Sequence, residues 1–304
     1  MNWSGGVLPL LKPPGPSSHQ VVASVRHGLG RRWRVGHTGT LDPGAAGVLP
    51  MCVGSATRLA QYLQIPHKAY RFELVLGQAT DTGDGTGRMV GGADASGLRR
   101  EQVEAALRGF VGDIRQQAPL HSARHVAGKR LYAYARAGES PPLPEIAVHV
   151  QRLALLGWVP GHPARGLCDV LCGSGTYVRS LCADIGAALG VGGHMGHLVR
   201  YSAGGIRAEQ CITLEEFDTT LQDGGWVDRC LSPAEALAFL PTLTIDPAEA
   251  VALRHGRAPG RRRAAPGDAP GLVRVLDDRD ELLAVARRSI AAGTATCTLE
   301  TVLA

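Results

Sequence analysis

Lysine is scarce in this 304-residue chain: Lys12, Lys68 and Lys129 are the only ones, so 29 of the 32 basic residues are arginines. Aromatic residues make up only 5%. No run of 18 apolar residues occurs, so no membrane-crossing helix is expected. The first residues hold one short apolar run, Val7 to Leu11, and Lys12 follows that run where an export signal needs its charge first. A cytoplasmic protein is therefore expected. Seven cysteines, an odd number spread over a long chain, fit buried thiols better than a disulfide framework. Cys168 and Cys172 lie on an alternating, strand-like stretch that would hold them about 13 Å apart, too far for two ligands of one metal. No metal site is expected. Also missing are a complete Gly-x-Gly-x-x-Gly between strand and helix, a Gly-Lys-Ser/Thr phosphate loop, the closing Glu of a calcium loop after Asp81 to Gly85, and a Gly-x-Ser-x-Gly elbow. Dinucleotide binding, nucleotide hydrolysis, EF-hand calcium binding and serine-hydrolase chemistry all lose their support.

What is present is a chain of 44% hydrophobic and 19% charged residues, long enough for two domains with real cores and loop-rich through its 40 Gly and 19 Pro. Its charge is uneven. Residues 1–72 hold eight Lys or Arg against a single acid, Asp42, a local charge of +7, whereas the remainder carries −2. A basic concentration of this kind favours a polyanionic partner such as nucleic acid. Asp42 is the conspicuous exception. Leu-Asp-Pro-Gly by itself is a common turn sequence with Asp bonding its own backbone. Here it lies in a loop whose glycines at 36, 39, 44 and 47 permit close approach of another backbone, with His37 nearby. A neighbouring cation would keep such a carboxylate ionised, as a nucleophile requires.

Patterning gives a strand at Val7 to Leu11, a helix from Ser17 or Ser18 to Leu29, an ordered loop over 36–50 and a short helix at Ala56 to Leu63. A strand at Ala69 to Leu76 puts Tyr70, Phe72, Leu74 and Leu76 on one face. Turns or a hairpin at Thr80 to Gly97 precede a helix over Arg99 to Phe110. Strands are expected at Val148 to Trp158 and Leu167 to Cys172, and a helix at Tyr177 to Leu189. From about residue 239 short apolar runs broken by Arg-rich and Asp-rich turns suggest a small β-rich domain. The expected fold class is α/β in the broad sense (α+β): a mixed, largely antiparallel sheet flanked by helices in residues 1–238, and a second domain at 239–304.

Five segments together carry a family resemblance. Gly36-His-Thr-Gly-Thr-Leu-Asp-Pro-Gly-Ala-Ala-Gly-Val-Leu-Pro50 resembles the catalytic loop of the bacterial tRNA pseudouridine(55) synthases, the TruB family. Lys12-Pro-Pro-Gly-Pro-Ser-Ser18 resembles the family's opening motif. Lys68-Ala-Tyr-Arg71 with Gly77-Gln-Ala-Thr-Asp-Thr-Gly-Asp84 is similar to its second motif, and Ser122 to Arg136 to its RNA-clasping insertion, about 120–140. Gly175-Thr-Tyr-Val-Arg179 and His194 to Leu198 complete the set. The sequence departs from the pattern at Ser174, where a lysine is common, and at Val199, often an arginine in relatives. Both changes remove a possible phosphate contact.

The resemblance implies a pseudouridine synthase fold with a small PUA-like C-terminal domain, and an isomerase needing no cofactor or metal. It would break the glycosidic bond of uridine 55 in the tRNA T loop, turn the base and rejoin it through carbon. Asp42 would be the essential carboxylate; attack on the sugar, attack on the base and assisted glycal formation all stay open. Arg179 would hold that carboxylate charged and aimed. His37 would fill the stack vacated by the flipped base, Tyr70 would stack on the uracil, and Tyr177 and Leu198 would wall the pocket. Lys12, Arg124, Lys129 and Arg130 would meet the RNA backbone, and Arg261 to Arg263 phosphates beyond the T loop. The expected partner is the tRNA T stem-loop, with no membrane, no obligate protein partner and a monomeric state. The rival readings are a tRNA-folding chaperone that uses the same groove without chemistry, and a synthase acting on another RNA.

Overall fold

The structure, a computed structural model, describes residues 3–120, 122, 124–139 and 141–303; the side chains of Arg130 and Ala135 are outside that description. The chain forms two compact units that interleave along the sequence. One comprises residues 1–43, 48–66 and 203–304, the other 44–47 and 67–202.

The unit containing residues 67–202 is built on a sheet whose neighbouring strands run Gly193–Ala203, Lys68–Leu76, Ala164–Cys172, Glu145–Val159 and Gly112–Gln117, all antiparallel. Residues Ala46 and Gly47 join its edge in parallel, opposite Val199 and Arg200. Lys68–Leu76 is central. Its alternation places Tyr70, Phe72, Leu74 and Leu76 in the core, as the pattern predicts, and leaves Arg71 outward. Two helices cover the buried face, Arg100–Arg108 through Val103 and Leu107, and Val178–Ala188 through Leu181, Cys182 and Ile185. The helix limits lie within two residues of those read from the sequence.

The other unit starts from a small sheet, Gly5–Leu8, Met51–Gly54 and Val35–His37, with helix Ser18–Leu29 packed over it through Val21, Val22 and Val25. The C-terminal residues supply a five-stranded sheet in the order Thr242–Thr244, Gly271–Leu276, Leu282–Ala291, Thr294–Val302 and Arg262–Arg263. It has its own core around Ile245, Leu253, Val273, Val275 and Leu283. Its opposite side continues into a cluster with the N-terminal residues: Leu276, Leu282 and Val285 pack with Val7, Leu59, Tyr62 and Leu63. Tyr62 Oη lies 2.7 Å from Thr301 Oγ1, and Arg58 donates to the Val302 carbonyl at 2.9 Å. Shared apolar burial is why residues beyond 239 group with residues 1–66. Among the described residues no helix is long and apolar enough to cross a membrane.

Candidate active site

Asp42 is held by its neighbours. Ser17 caps helix Ser18–Leu29, accepting from the Gln20 backbone N–H at 3.2 Å while the Gln20 side chain accepts from Ser17 N–H at 2.7 Å. With the cap made by Ser17, the adjacent Ser18, 1% exposed, turns inward. Its Oγ donates to the Leu41 carbonyl at 3.0 Å and accepts from the Leu41 N–H at 2.8 Å. On the far side, the Pro43 carbonyl accepts from Lys12 Nζ at 3.0 Å and from Gly15 N–H at 2.8 Å. Half-buried Asp42 therefore sits between two fixed peptide groups, immediately before the turn at Pro43 and Gly44.

Lys12 is 1% exposed, and its ammonium donates to the carbonyls of Pro13 and Pro43, which ties down the Asp42 loop. The glycine expectation needs refinement. Gly47, at φ 114°, runs against the Arg200 backbone, and a Cβ there would lie 2.1 Å from the Arg200 carbonyl oxygen. Gly36 and Gly44 meet nothing within 4 Å of where a Cβ would be. The stretch over 36–50 also contains a regular element, the strand Ala46–Val48. His37 ends strand Val35–His37; its Nδ1 accepts from Gly39 N–H at 3.2 Å, and its ring packs edge-on against His19 at 5.3 Å.

The second group of residues belongs to the unit of residues 67–202. Tyr70 is 7% exposed, with Val170 and Arg200 directly opposite it on the flanking strands, and Leu198, also 7% exposed, faces Phe72. Tyr177 is the N-cap residue of helix Val178–Ala188, and Arg179, 5% exposed, lies in its first turn. Arg179 donates to the Thr82 carbonyl at 3.2 Å. Burial would raise Asp84 of the same loop, but hydrogen bonds from Thr86 and Thr82 and the charge of Arg179 outweigh it and hold the carboxylate below its ordinary range. That loop, Asp-Thr-Gly-Asp in sequence, braces the arginine.

Two further cations of this unit are buried. Lys68 and Arg200 are 7% and 1% exposed. Burial, with the charge of Arg200 adding to it, pulls the Lys68 ammonium down from 10.5 to about 8. Lys68 was visible in a motif and Arg200 beside Leu198, but neither position signals burial. Val199, where relatives often carry an arginine, points out to solvent, and Arg200 points in. Arg200 does not replace the missing surface charge.

In the expected clasp, His125–Val126 and Lys129–Arg130 form a two-stranded hairpin turning at Ala127 (φ 48°) and Gly128 (φ 78°), followed by helix Leu131–Arg136. Arg124 is exposed. Lys129 pairs with Glu139 at 3.2 Å and lies 4.4 Å over the Tyr134 ring, while Arg136 lies 5.3 Å over Tyr132. The side chain of Arg130 lies outside the described residues. In the C-terminal sheet Arg262 pairs with Glu249, leaving Arg261 and Arg263 exposed.

Lys12, His37 and Asp42 thus occupy one unit, and Tyr70, Tyr177, Arg179, Leu198 and the hairpin the other. In each, the groups of interest stand on buried, hydrogen-bonded supports. Residues 26–178 match the model of the TruB family pseudouridylate synthase N-terminal domain, and residues 179–238 that of the tRNA pseudouridylate synthase B C-terminal domain. A tRNA pseudouridine synthase B of Symbiobacterium thermophilum is 49% identical over 84% of this chain and 84% of its own length. The protein of the same name from Heliobacterium modesticaldum is 45% identical over 83% and 81%. Among solved structures, that of a Cbf5-Nop10-Gar1 complex superposes with a TM-score of 0.76 at 27% identity, covering 99% of this chain and 85% of the other. The sheet flanked by helices and the β-rich C-terminal sheet are thus the pseudouridine synthase architecture, and by domain match and by kinship across most of its length the chain belongs to the TruB family of pseudouridylate synthases.

Proposed function

We propose that this chain isomerises uridine 55 in the T loop of tRNA to pseudouridine, with Asp42 as the essential carboxylate. The observation that carries the reading is the fixed seat of Asp42: a solitary acid in a basic segment, inside the family-matched region, with Leu41 before it anchored by Ser18 and the Pro43 carbonyl after it by Lys12. A catalytic carboxylate gains from such fixing because an ångström of misplacement costs orders of magnitude in rate. The reaction breaks N1–C1′ and forms C5–C1′; the base gains a proton at N1 and loses one from C5. Product and substrate are isomers, so no redox partner or second substrate enters the balance.

The target base must leave its stack first, at a cost of a few kcal/mol. His37 fills the vacated position, and Tyr70 takes the uracil on its ring, a contact worth about 1–3 kcal/mol. Arg179, braced by the Thr82 carbonyl, is the supporting cation, and Tyr177 and Leu198 close the pocket wall. Arg124, Lys129 and Arg130 grip the T stem-loop backbone from the hairpin, with Lys129 exchanging Glu139 for phosphate. The C-terminal sheet acts as a PUA-like RNA-binding module through Arg261 and Arg263. The protein works as a cytoplasmic monomer without a protein partner.

The test is pseudouridine formation at position 55 of an unmodified tRNA transcript, with the full chain and its Asp42→Asn variant in parallel. Wild type is expected to give stoichiometric product, and the variant background only, with tRNA affinity retained. Product from the Asp42→Asn variant would remove Asp42 from the chemistry. Tight binding without product from wild type would favour the chaperone reading, and product only with another transcript a different RNA substrate.

A further inference from the structure

The peptide groups on both sides of Tyr177 are gripped by one buried side chain. Gln116, at the end of strand Gly112–Gln117 and 1% exposed, accepts from the Tyr177 N–H through Oε1 at 3.0 Å and donates through Nε2 to the Tyr177 carbonyl at 3.2 Å. The next residue joins the same seam, the Gln117 carbonyl accepting from Ser180 Oγ at 2.8 Å. Tyr177 is the N-cap of its helix, yet a phenol has no short oxygen arm to fold back on the backbone, and no side-chain cap is made. The amide of Gln116 takes over what a capping residue does for itself: it fixes the torsions on both sides of the Tyr177 Cα. Those torsions set where the Tyr177 side chain leaves the backbone and where its phenol ring points.

A buried primary amide is a costly way to glue a strand to a helix. Its desolvation is offset only when its donor and acceptor are both used. Both groups are used here, on a single residue that the proposed reaction places against the substrate. From this we infer that Gln116 is a positioning residue for the isomerisation, acting through Tyr177 rather than by touching RNA. The inference rests on the role given to Tyr177 above.

The experiment is a double-mutant cycle with the full chain. Single-turnover release of tritium from C5-labelled uridine in a tRNA transcript gives the rate, filter binding the affinity, and thermal unfolding the fold. Gln116→Met, which keeps the volume and removes both hydrogen bonds, is expected to slow the rate about tenfold or more with tRNA affinity held within about twofold. In a Tyr177→Ala background the same change is expected to cost less than about threefold, because nothing remains to be positioned. Gln116→Glu supplies an independent readout if the methionine variant fails to fold. Its carboxylate accepts from the Tyr177 N–H but faces the Tyr177 carbonyl without a proton, so its rate relative to wild type is expected to recover as pH falls and the acid becomes a donor. Equal losses in both backgrounds, with Tyr177→Ala itself impaired, would overturn the role of Gln116 and leave that of Tyr177 standing. An unimpaired Tyr177→Ala would remove both. A Gln116→Glu rate that tracks wild type at every pH would likewise overturn the inference.

Discussion

Ser18 uses one hydroxyl to hold both backbone groups of Leu41, and this sets what a minimal substitution does. Ser18→Ala leaves a buried N–H and a buried carbonyl without that partner, each worth about 1–3 kcal/mol. The expected outcome is a loss of roughly 2 kcal/mol in urea unfolding, together with a slower single-turnover rate at little-changed tRNA affinity, because the peptide next to Asp42 loosens. An unchanged rate would detach the Leu41 anchor from catalysis. At this scale the sequence was unevenly informative. Asp42 stood out because charge is a property of composition: one acid among eight bases needs no structure to be noticed. The burial of Lys12 and Arg200 was not legible, because a cation is read as exposed by default and their burial depends on chain segments distant in sequence. Gln116 gave no signal at all, since a glutamine in Gly-Asp-Ile-Arg-Gln-Gln looks like any solvated strand residue.

Two hairpins of this molecule turn on the same dipeptide. Ala127-Gly128 joins His125–Val126 to Lys129–Arg130, and Ala292-Gly293 joins Leu282–Ala291 to Thr294–Val302, with both alanines in the left-handed region at φ 48° and 47°. Turns of this kind favour Asn-Gly, because Asn tolerates positive φ, which costs Ala about 1–2 kcal/mol. Ala292→Asn is therefore expected to stabilise the chain by about 0.5–1 kcal/mol, read as a higher urea midpoint. A lowered midpoint would mean that Ala292 is fixed by its surroundings rather than by its own torsion. The choice of alanine also removes the usual sequence signal of a hairpin between His125–Val126 and Lys129–Arg130, because neither Asn nor Asp stands at the turn. The long strands and the two sheet-covering helices were legible because periodicity of two and of 3.6 needs only apolar residues in order. The strand Ala46–Val48 was not, being three residues long and defined by its pairing with Val199 and Arg200.

The family models end at residue 238, which invites truncation there, but the core does not end there. Leu276, Leu282 and Val285 complete a cluster that Val7, Leu59 and Tyr62 begin, and the last strand bonds Tyr62 and Arg58. Removing residues 239–304 strips those partners from three large apolar side chains, a loss of apolar burial on the order of 5 kcal/mol. The fragment is expected to unfold at a markedly lower temperature and to bind a hydrophobic dye before it does. A fragment as stable as the full chain would make the C-terminal sheet an appendage. The change of texture near residue 239 is legible in the sequence, whereas the burial that Leu276, Leu282 and Val285 share with Val7, Leu59 and Tyr62 leaves no local mark. The concentration of positive charge is likewise redistributed on folding: of the eight cations in residues 1–72, Lys12 and Lys68 are buried, Arg26 and Arg58 donate to carbonyls, and Arg71 pairs with Asp169. Arg31, Arg32 and Arg34 remain as an exposed basic cluster on the N-terminal side.

The burial of Lys12 and Lys68 also shapes how the protein meets chemical reagents. With those two ε-amines enclosed, Lys129, its side chain 40% exposed, is the lysine left open to an acylating probe. It stands on the hairpin proposed to grip RNA, so acylation of its ε-amine during brief exposure to the reagent, read by peptide mapping, is expected to slow when tRNA is bound.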